Sequence, residues 1–413
     1  MSSASPVRHG PALHPIATVL LPFTAAFFLQ ELYRVAGAVM APRLVAGFSL
    51  DAREIGLLTS VYFLTFAAMQ LPSGLLLDRF GPRRVLAALL SIGILGALVF
   101  ATATGFGALL LGRAMLGLAG SACLMASFTA AALWFPRERL VLVNGAILAL
   151  GSLGGLLATV PMEWLLGVVD WRWVWVGMAA MTCGVIVGLL RVAPERTAST
   201  AVGSGWAGYG EILRMPLFWR IAPASTLTQG TWLAYQGLWA GAWLADVAGL
   251  GQQAVAAHLL LMICAAVPGY LLFGLMAERL QRIGVSARQT FIAGQIAFLA
   301  AQTVILALPE RATWLAWAAF GLLGTAGGLG FPILTQASPQ HLAGRANSAL
   351  NLTLFAGAFA LQFGIGWMIG AWPREGSGSY PDGAHWWTLL VQTGLQALAL
   401  CWFFLAPRVL PRS

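Results

Sequence analysis

The stretch "GLLLDRFGPRR", Gly74 to Arg84, lies between two long apolar runs and returns as "GLMAERL", Gly274 to Leu280, 200 residues later. Asp78 and Arg79 become Glu278 and Arg279 in the second copy. A second pair of segments has nearly the same offset. "NGAI" from Asn144 and "NSAL" from Asn347, 203 residues apart, each open the fifth apolar run of their half. The chain therefore reads as two copies of one unit. Outward from these marks, twelve apolar runs can be drawn, with approximate limits 15–40, 54–73, 84–103, 106–133, 141–166, 172–191, 217–245, 254–277, 289–308, 314–336, 346–371 and 386–406. Each is near the roughly 20 residues that a helix needs to cross a bilayer core of about 30 Å. Helices rather than strands follow from these lengths.

Of 413 residues, 59% are hydrophobic and 9% charged, and the mean hydropathy is +0.81. Soluble domains run roughly 45–50% apolar and about 25% charged. So few charges could not cover a soluble surface of this size, and most of the surface must face lipid. All 23 basic residues are arginine, against 14 acids, for a net charge of +9. That charge sits in short loops between apolar runs, as membrane orientation requires, and no nucleic-acid partner is expected. Cys123, Cys183, Cys264 and Cys401 each lie inside an apolar stretch, with no spacing that suggests a disulfide or a metal site. No nucleophile-base pair, phosphate-cradling loop or metal-ligand cluster occurs at usable spacing, so neither enzyme activity nor a cofactor is expected.

With the N-terminus in the cytoplasm, sixteen arginines fall in cytoplasmic segments and five, Arg43, Arg53, Arg172, Arg311 and Arg374, on the opposite side. The positive-inside rule then places both termini in the cytoplasm of a multi-pass inner (cytoplasmic) membrane protein. The first run follows Arg8 as a signal peptide would, but it is long and eleven more follow, so it reads as uncleaved. The longest polar interruption, Arg191 to Met215, separates runs six and seven and reads as a linker. The expected organisation is a cytoplasmic tail at 1–14, a six-helix bundle at 15–191, a cytoplasmic linker at 192–216, a second bundle at 217–406 and a cytoplasmic tail at 407–413.

Gly74 to Arg84 resembles the cytoplasmic loop motif of the major facilitator superfamily between helices two and three: glycine, acid, arginine, glycine, then paired arginines. "LLLGRAMLGLAGS", Leu109 to Ser121, resembles the family's fourth-helix motif, with Arg113 as the buried basic residue ahead of Gly117 and Gly120. "GSLGG", Gly151 to Gly155, sits where proton-coupled drug exporters of the family carry a Gly-Pro pair, and Ser152 replaces that proline. Around "YRVAGAVMAPRL", "QGLWAGAWL" and "NLTLFAGAFALQFGIG" the texture is similar to bacterial permeases grouped with nitrate and organic-acid carriers. The resemblance covers essentially the whole chain. It implies an all-α membrane protein with twelve transmembrane helices in two pseudo-symmetric six-helix bundles, working as a monomer by alternating access. In such paired repeats the solute site lies at the repeat interface near the midplane.

Alternating access needs two conformations of similar free energy, so the contacts closing one side must be breakable. A conformational latch is expected at Gly74, Asp78, Arg79, Gly81, Arg83 and Arg84, echoed by Glu278 and Arg279. The glycines permit a tight turn and close helix approach, and the arginines offer fork-shaped donors. The bland alternative for the arginines is that they are solvated topogenic charges.

A charge at the bilayer centre costs at least about 2.5 kcal/mol, so intramembrane ionisable residues are functional candidates. Glu31 and Arg34 share one face of span one, and Arg113 lies on span four. At 1.5 Å per residue, Glu31 is about 24 Å from the start of its span and Arg113 about 10 Å from the opposite start of its own, so their depths nearly coincide. Arg113 is therefore expected to meet Glu31 in one conformation. In another, Arg34 or Arg113 meets the solute, and Glu31, deprived of its partner, takes a proton. The competing reading is a permanent structural ion pair between spans one and four. Glu163 and His258, near span ends, read as interfacial.

Span seven carries Gln229, Trp232, Gln236, Trp239 and Trp243 at spacings of three or four, a stripe suited to lining a wet cavity. Trp243, near the outer end, also fits an interfacial belt. Tyr62, Tyr235, Gln336 and Asn351 are further lining candidates, or interhelical hydrogen-bond glue. The glycines of span ten, Gly321 to Gly330 ahead of Pro332, suit a gating helix. Pro373 to His385 reads as a flexible outer loop without a site signature. Two functions remain open. Arg34 and Arg113 favour symport of a small polar, anionic solute with protons as coupling ion. The aromatic stripe favours proton-antiport efflux of amphiphilic or drug-like compounds. The partners implied are a small-molecule solute, protons and the lipid bilayer.

Overall fold

The computed structural model describes residues 16–136, 139–194, 207–307, 313–339, 342–375 and 379–409; the side chains of Asp78 and Glu278 lie outside those described. The described residues are helical, without a strand. A π-helical turn, Ile16–Leu20, leads into α1 (Leu21–Phe48). Then come α2 (Ala52–Ala68) and α3 (Gln70–Phe80), α4 (Pro82–Ala101), α5 (Phe106–Gly120) and α6 (Cys123–Trp134), α7 (Leu140–Leu157) and α8 (Val160–Leu166), and α9 (Trp171–Val192). These form spans one to six. After the linker helix α10 (Ala207–Arg214), span seven is α11 (Pro216–Ala234), a π-helical turn Tyr235–Trp239, and α12 (Ala240–Asp246). Spans eight and nine are α13 (Gln252–Arg282) and α14 (Ala287–Ala307). Span ten is α15 (Thr313–Gly324), a 3₁₀ turn Thr325–Leu329 and α16 (Gly330–Ala337). Spans eleven and twelve are α17 (Ala343–Ile369) and α18 (Asp382–Val409).

Ten helical stretches are long and apolar enough to cross a membrane, and α2 with α3, bent by 43°, makes an eleventh. The twelfth, span seven, is helical from Pro216 to Asp246, but its Ser, Thr, Gln, Gly and Trp residues lower its hydropathy. Local chemistry sets the boundaries. Asp51 and Glu54 form a capping box that starts α2. Gly81, with φ of 79°, ends α3 in a conformation that costs any residue with a Cβ, and Pro82 opens α4 at a position where its missing N–H does no harm. Leu95, Leu111, Leu271 and Leu398 point outward, the apolar exterior that a bilayer requires.

The internal repeat is visible in the packing. Span one lies on span five as seven lies on eleven, two on four as eight on ten, and three on six as nine on twelve. The halves meet along span two against eleven, span five against eight, and span one against the π-helical turn of seven. The linker and the starts of spans one and seven lie at one end of the bundle, the near end. The loops following α1 and α12 lie at the far end. The helix α10 was not expected within the polar linker. Its Tyr209 and Ile212 are buried with Phe218, Leu334 and Leu350, and Leu71 of α3 packs on the same cluster.

Candidate functional site

Glu31 and Arg34 sit one turn apart on α1. Arg34 Nη2 donates to Glu31 Oε2 at 2.6 Å and Nε to Oε1 at 3.3 Å, while Gln30 Nε2 donates to Oε1 at 3.0 Å. The other arm of the guanidinium, Nη1, donates to Gln236 Oε1 at 2.7 Å. Gln236 belongs to the second half, so one buried side chain ties a carboxylate of the first repeat to an amide of the second. The π-helical turn brings Gln236 to this place, and such wide turns recur at functional sites. Around it, Gln236 Nε2, Gln30 Oε1 and Tyr62 Oη are buried without a hydrogen-bond partner among the described residues. A donor, an acceptor and a hydroxyl are thus unmet where water or a polar solute would meet them. Tyr270 of span eight, beside Gln229, faces the same pair within electrostatic reach. At 49% exposure it borders open space, not a packed interface.

Arg113 does not pair with Glu31. Its Nη1 donates to the carbonyl of Tyr33 at 3.0 Å, and its guanidinium lies 5.5 Å from the centre of the Tyr62 ring. It occupies a slot left by Gly37, where a Cβ would collide with Nη2. The expected depth is right, since Arg113 reaches span one between Tyr33 and Gly37. Arg34 wins the carboxylate because it is one turn away on the same helix. Gly117 and Gly120 permit the crossing of α5 over α2, the first against Thr65 and the Tyr62 carbonyl, the second against the Tyr62 hydroxyl.

The aromatic members of the span-seven stripe pack away from the Glu31–Arg34 centre. Trp232 donates Nε1 to the carbonyl of Gly321 at 3.1 Å and Trp239 to that of Gln362 at 2.9 Å. Tyr235 packs on Trp317 and Phe320, and Trp243, expected at the interface, is buried against Trp317. Each indole finds a backbone acceptor or an aromatic face in spans ten and eleven, which satisfies the ring more fully than a wet cavity. Gln336 is exposed at the near end and lines nothing central. Asn351 donates to Gln70 Oε1 at 2.8 Å, joining spans eleven and two across the halves.

The family model for the Major Facilitator Superfamily matches residues 23–362. The chain belongs to the major facilitator superfamily. Among curated relatives, the uncharacterized transporter YybO of Bacillus subtilis is 33% identical over 37% of this chain and 34% of its own length. The nitrate/nitrite transporter NrtP of Picosynechococcus is 28% identical over 33% of this chain and 26% of its own. The efflux transporter inpD of Emericella nidulans is 26% identical over 41% of this chain and 33% of its own. The chain thus spans about a quarter to a third of these relatives' lengths. A crystal structure of a bacterial homolog to the human lysosomal transporter Spinster superposes with a TM-score of 0.77 at 18% identity, covering 96% of this chain and 98% of the other.

At the superfamily's loop motif, Arg83 Nη2 donates to the carbonyl of Leu190 in span six of its own half. Arg79 covers the Phe80 ring at 5.1 Å. Gly74 faces the Tyr209 hydroxyl of the linker helix. Arg79 and Arg279 are exposed, Arg84 has a partner, and the side chains of Asp78 and Glu278 lie outside those described.

Sequence reasoning missed the far end, where Pro373 to His385 was expected as a loop without a site. Arg374 Nη2 donates to the Leu50 carbonyl at 2.5 Å and Nε to Tyr380 Oη at 3.2 Å, and that hydroxyl accepts from the Ala52 amide at 3.0 Å. The Tyr380 amide and His385 Nε2, the latter at 2.9 Å, both approach Asp246 Oδ2. A loop of the second half is thereby strapped over the start of α2 in the first. Below it, a cavity of about 240 Å³ is lined by Val39, Pro42, Trp239, Asp246 and Tyr380. Gly56 and Gly366 close the halves backbone to backbone, with the Trp239 ring over both. Glu163, expected at the interface, accepts both arms of Arg43 at 2.9 Å and ties span five to span one. His258, likewise expected there, is buried and stacks on Trp314 with ring centres 3.7 Å apart.

Proposed function

We propose that this chain is a secondary active transporter that moves a small polar, anionic solute by alternating access, coupled to protons. The observation that carries the reading is the guanidinium of Arg34, shared between Glu31 of one half and Gln236 of the other. A solute oxyanion would compete with Glu31 for the same fork, because carboxylate and oxyanion present matching bidentate acceptors. If Glu31 takes a proton as it leaves Arg34, the freed fork receives the anion, and the proton and solute move together. The charge count supports this. Glu31, Arg34 and Arg113 sum to a single positive charge, and Arg113 makes no ion pair among the described residues. A monoanion would balance it.

The far end is taken as the outer side, following the arginine count. The strap closes that side, and the half-exposed Tyr270 marks access from the near, cytoplasmic side. On this reading the form described faces inward, the division at 192–216 separates the moving bundles, and the loop motif acts in the other conformation. The name of NrtP supports an anion; that of inpD supports efflux. The aromatic stripe that favoured efflux packs into helix interfaces, which leaves the polar solute as the better fit. The test is uptake into proteoliposomes across an imposed pH gradient, with nitrate, short carboxylates and sulfonates as solutes. Uptake of one anion class that stops in Arg34→Gln supports the reading. Gradient-driven movement of lipophilic cations alone would replace it with the exporter.

A further inference from the structure

A second cationic site lies away from the central path. Arg220 of α11 donates Nε to the carbonyl of Phe403 at 2.8 Å, and its guanidinium sits 4.5 Å from the centre of the Phe403 ring. Phe403 packs on Phe291 with ring centres 5.8 Å apart, and Phe291 is one helical turn after Arg288 on α14. The two arginines therefore flank one aromatic pair, where spans seven, nine and twelve meet, and lie within electrostatic reach of each other. Neither makes an ion pair among the described residues, and both arms of the Arg220 fork are without a hydrogen bond. Arg288 also stands in the first turn of a 21-residue helix with no acid there, so the positive helix end adds to both guanidinium charges. Like charges held together this way repel unless an anion sits between them.

The surroundings select the anion. Trp219 donates Nε1 to the Leu213 carbonyl at 2.7 Å, and Trp402 Nε1 donates to the Trp219 carbonyl at 2.8 Å. These indoles mark a membrane-water boundary at this level. On the membrane side of that level, toward the start of α18, Leu398 at 67% and Leu395 at 39% are exposed where acyl chains would run. A free inorganic anion would have no use for that apolar wall.

We infer that Arg220 and Arg288 form a binding site for the phosphate headgroup of an anionic membrane lipid, with Trp219 and Trp402 at the headgroup level. Basic pockets between transmembrane helices bind such lipids, with each arginine adding to the affinity. The inference requires that the chain be membrane-embedded but does not depend on the solute or the coupling ion.

The test is the thermal unfolding of the purified full chain in a neutral detergent, titrated with phosphatidylglycerol, with phosphatidylcholine, or with inorganic phosphate alone. Phosphatidylglycerol should raise the midpoint by a few degrees, while the other two leave it unchanged. Arg288→Gln is exposed and should fold. It should weaken the apparent affinity for phosphatidylglycerol roughly 5-fold, and Arg220→Gln with Arg288→Gln roughly 25-fold. Arg288→Lys, which keeps the charge, should restore most of the Arg288→Gln loss. If the double variant unfolds before purification, Arg288→Gln against Arg288→Lys decides alone. An equal phosphatidylglycerol response in wild type and Arg288→Gln overturns the site, as does a response that inorganic phosphate reproduces.

Discussion

At the residue scale, the proposed transport site centres on a shared guanidinium. Lysine keeps the charge of Arg34 but cannot reach Glu31 twice and Gln236 once from a single ammonium. Arg34→Lys should therefore lower anion uptake roughly 10- to 100-fold, the worth of one charge-assisted hydrogen bond, while the protein still folds. Unchanged initial rates in proteoliposomes would show that the fork is not used. Gly37 makes a separate prediction, because a methyl group there meets the Arg113 guanidinium, which is itself anchored to Tyr33. Gly37→Ala should cost about 1–3 kcal/mol of stability, read as a lower unfolding midpoint in detergent. The spacing of Glu31 and Arg34 made their shared helix face readable from the chain, although Glu31 was expected to pair with Arg113. The partner of Arg113 was not readable, because depth along a helix fixes height but not which face of the neighbour is met.

At the scale of elements, periodicity shows that a stripe shares a face but not what that face touches. Trp232, Trp239 and Trp243 repeat at helical spacing with Gln229 and Gln236, yet the indoles enter helix interfaces and the amides the centre. For Gln236 and Trp239 the separation falls within the π-helical turn, which no pattern of apolar residues announces. Gln236→Leu should leave the helix intact and remove the tie between halves, since Oε1 is the acceptor for Arg34. The expected outcome is a change in the pH dependence of uptake with little change in unfolding midpoint. The hinge before α4 was readable, because Gly-Pro after a charged helix end admits few conformations. With φ of 79° at Gly81, Gly81→Ala should cost about 1–2 kcal/mol, measured as a lower midpoint.

At the scale of the whole molecule, twelve spans and an internal repeat were legible in the chain, because lipid enforces long apolar helices and the repeat left its mark at Asp78 and Glu278. The far-end strap was not legible. Arg374 and Tyr380 lie in a short polar loop whose partners, Leu50 and Ala52, are more than 300 residues away. If the strap holds the far end shut, Arg374→Gln with Tyr380→Phe should raise labelling of Val39→Cys by a membrane-impermeant thiol reagent about 2- to 10-fold. The background would be one in which the native cysteines are replaced. Equal labelling would assign the closure to the Gly56 and Gly366 contact instead. The most direct test of the central claim is proton movement itself, followed with a pH-sensitive dye inside proteoliposomes when anions are added outside. The account predicts that one class of small anions acidifies the interior, and that Glu31→Gln and Arg34→Gln each abolish the signal. Internal alkalinisation by lipophilic cations, with no response to any anion, would contradict it.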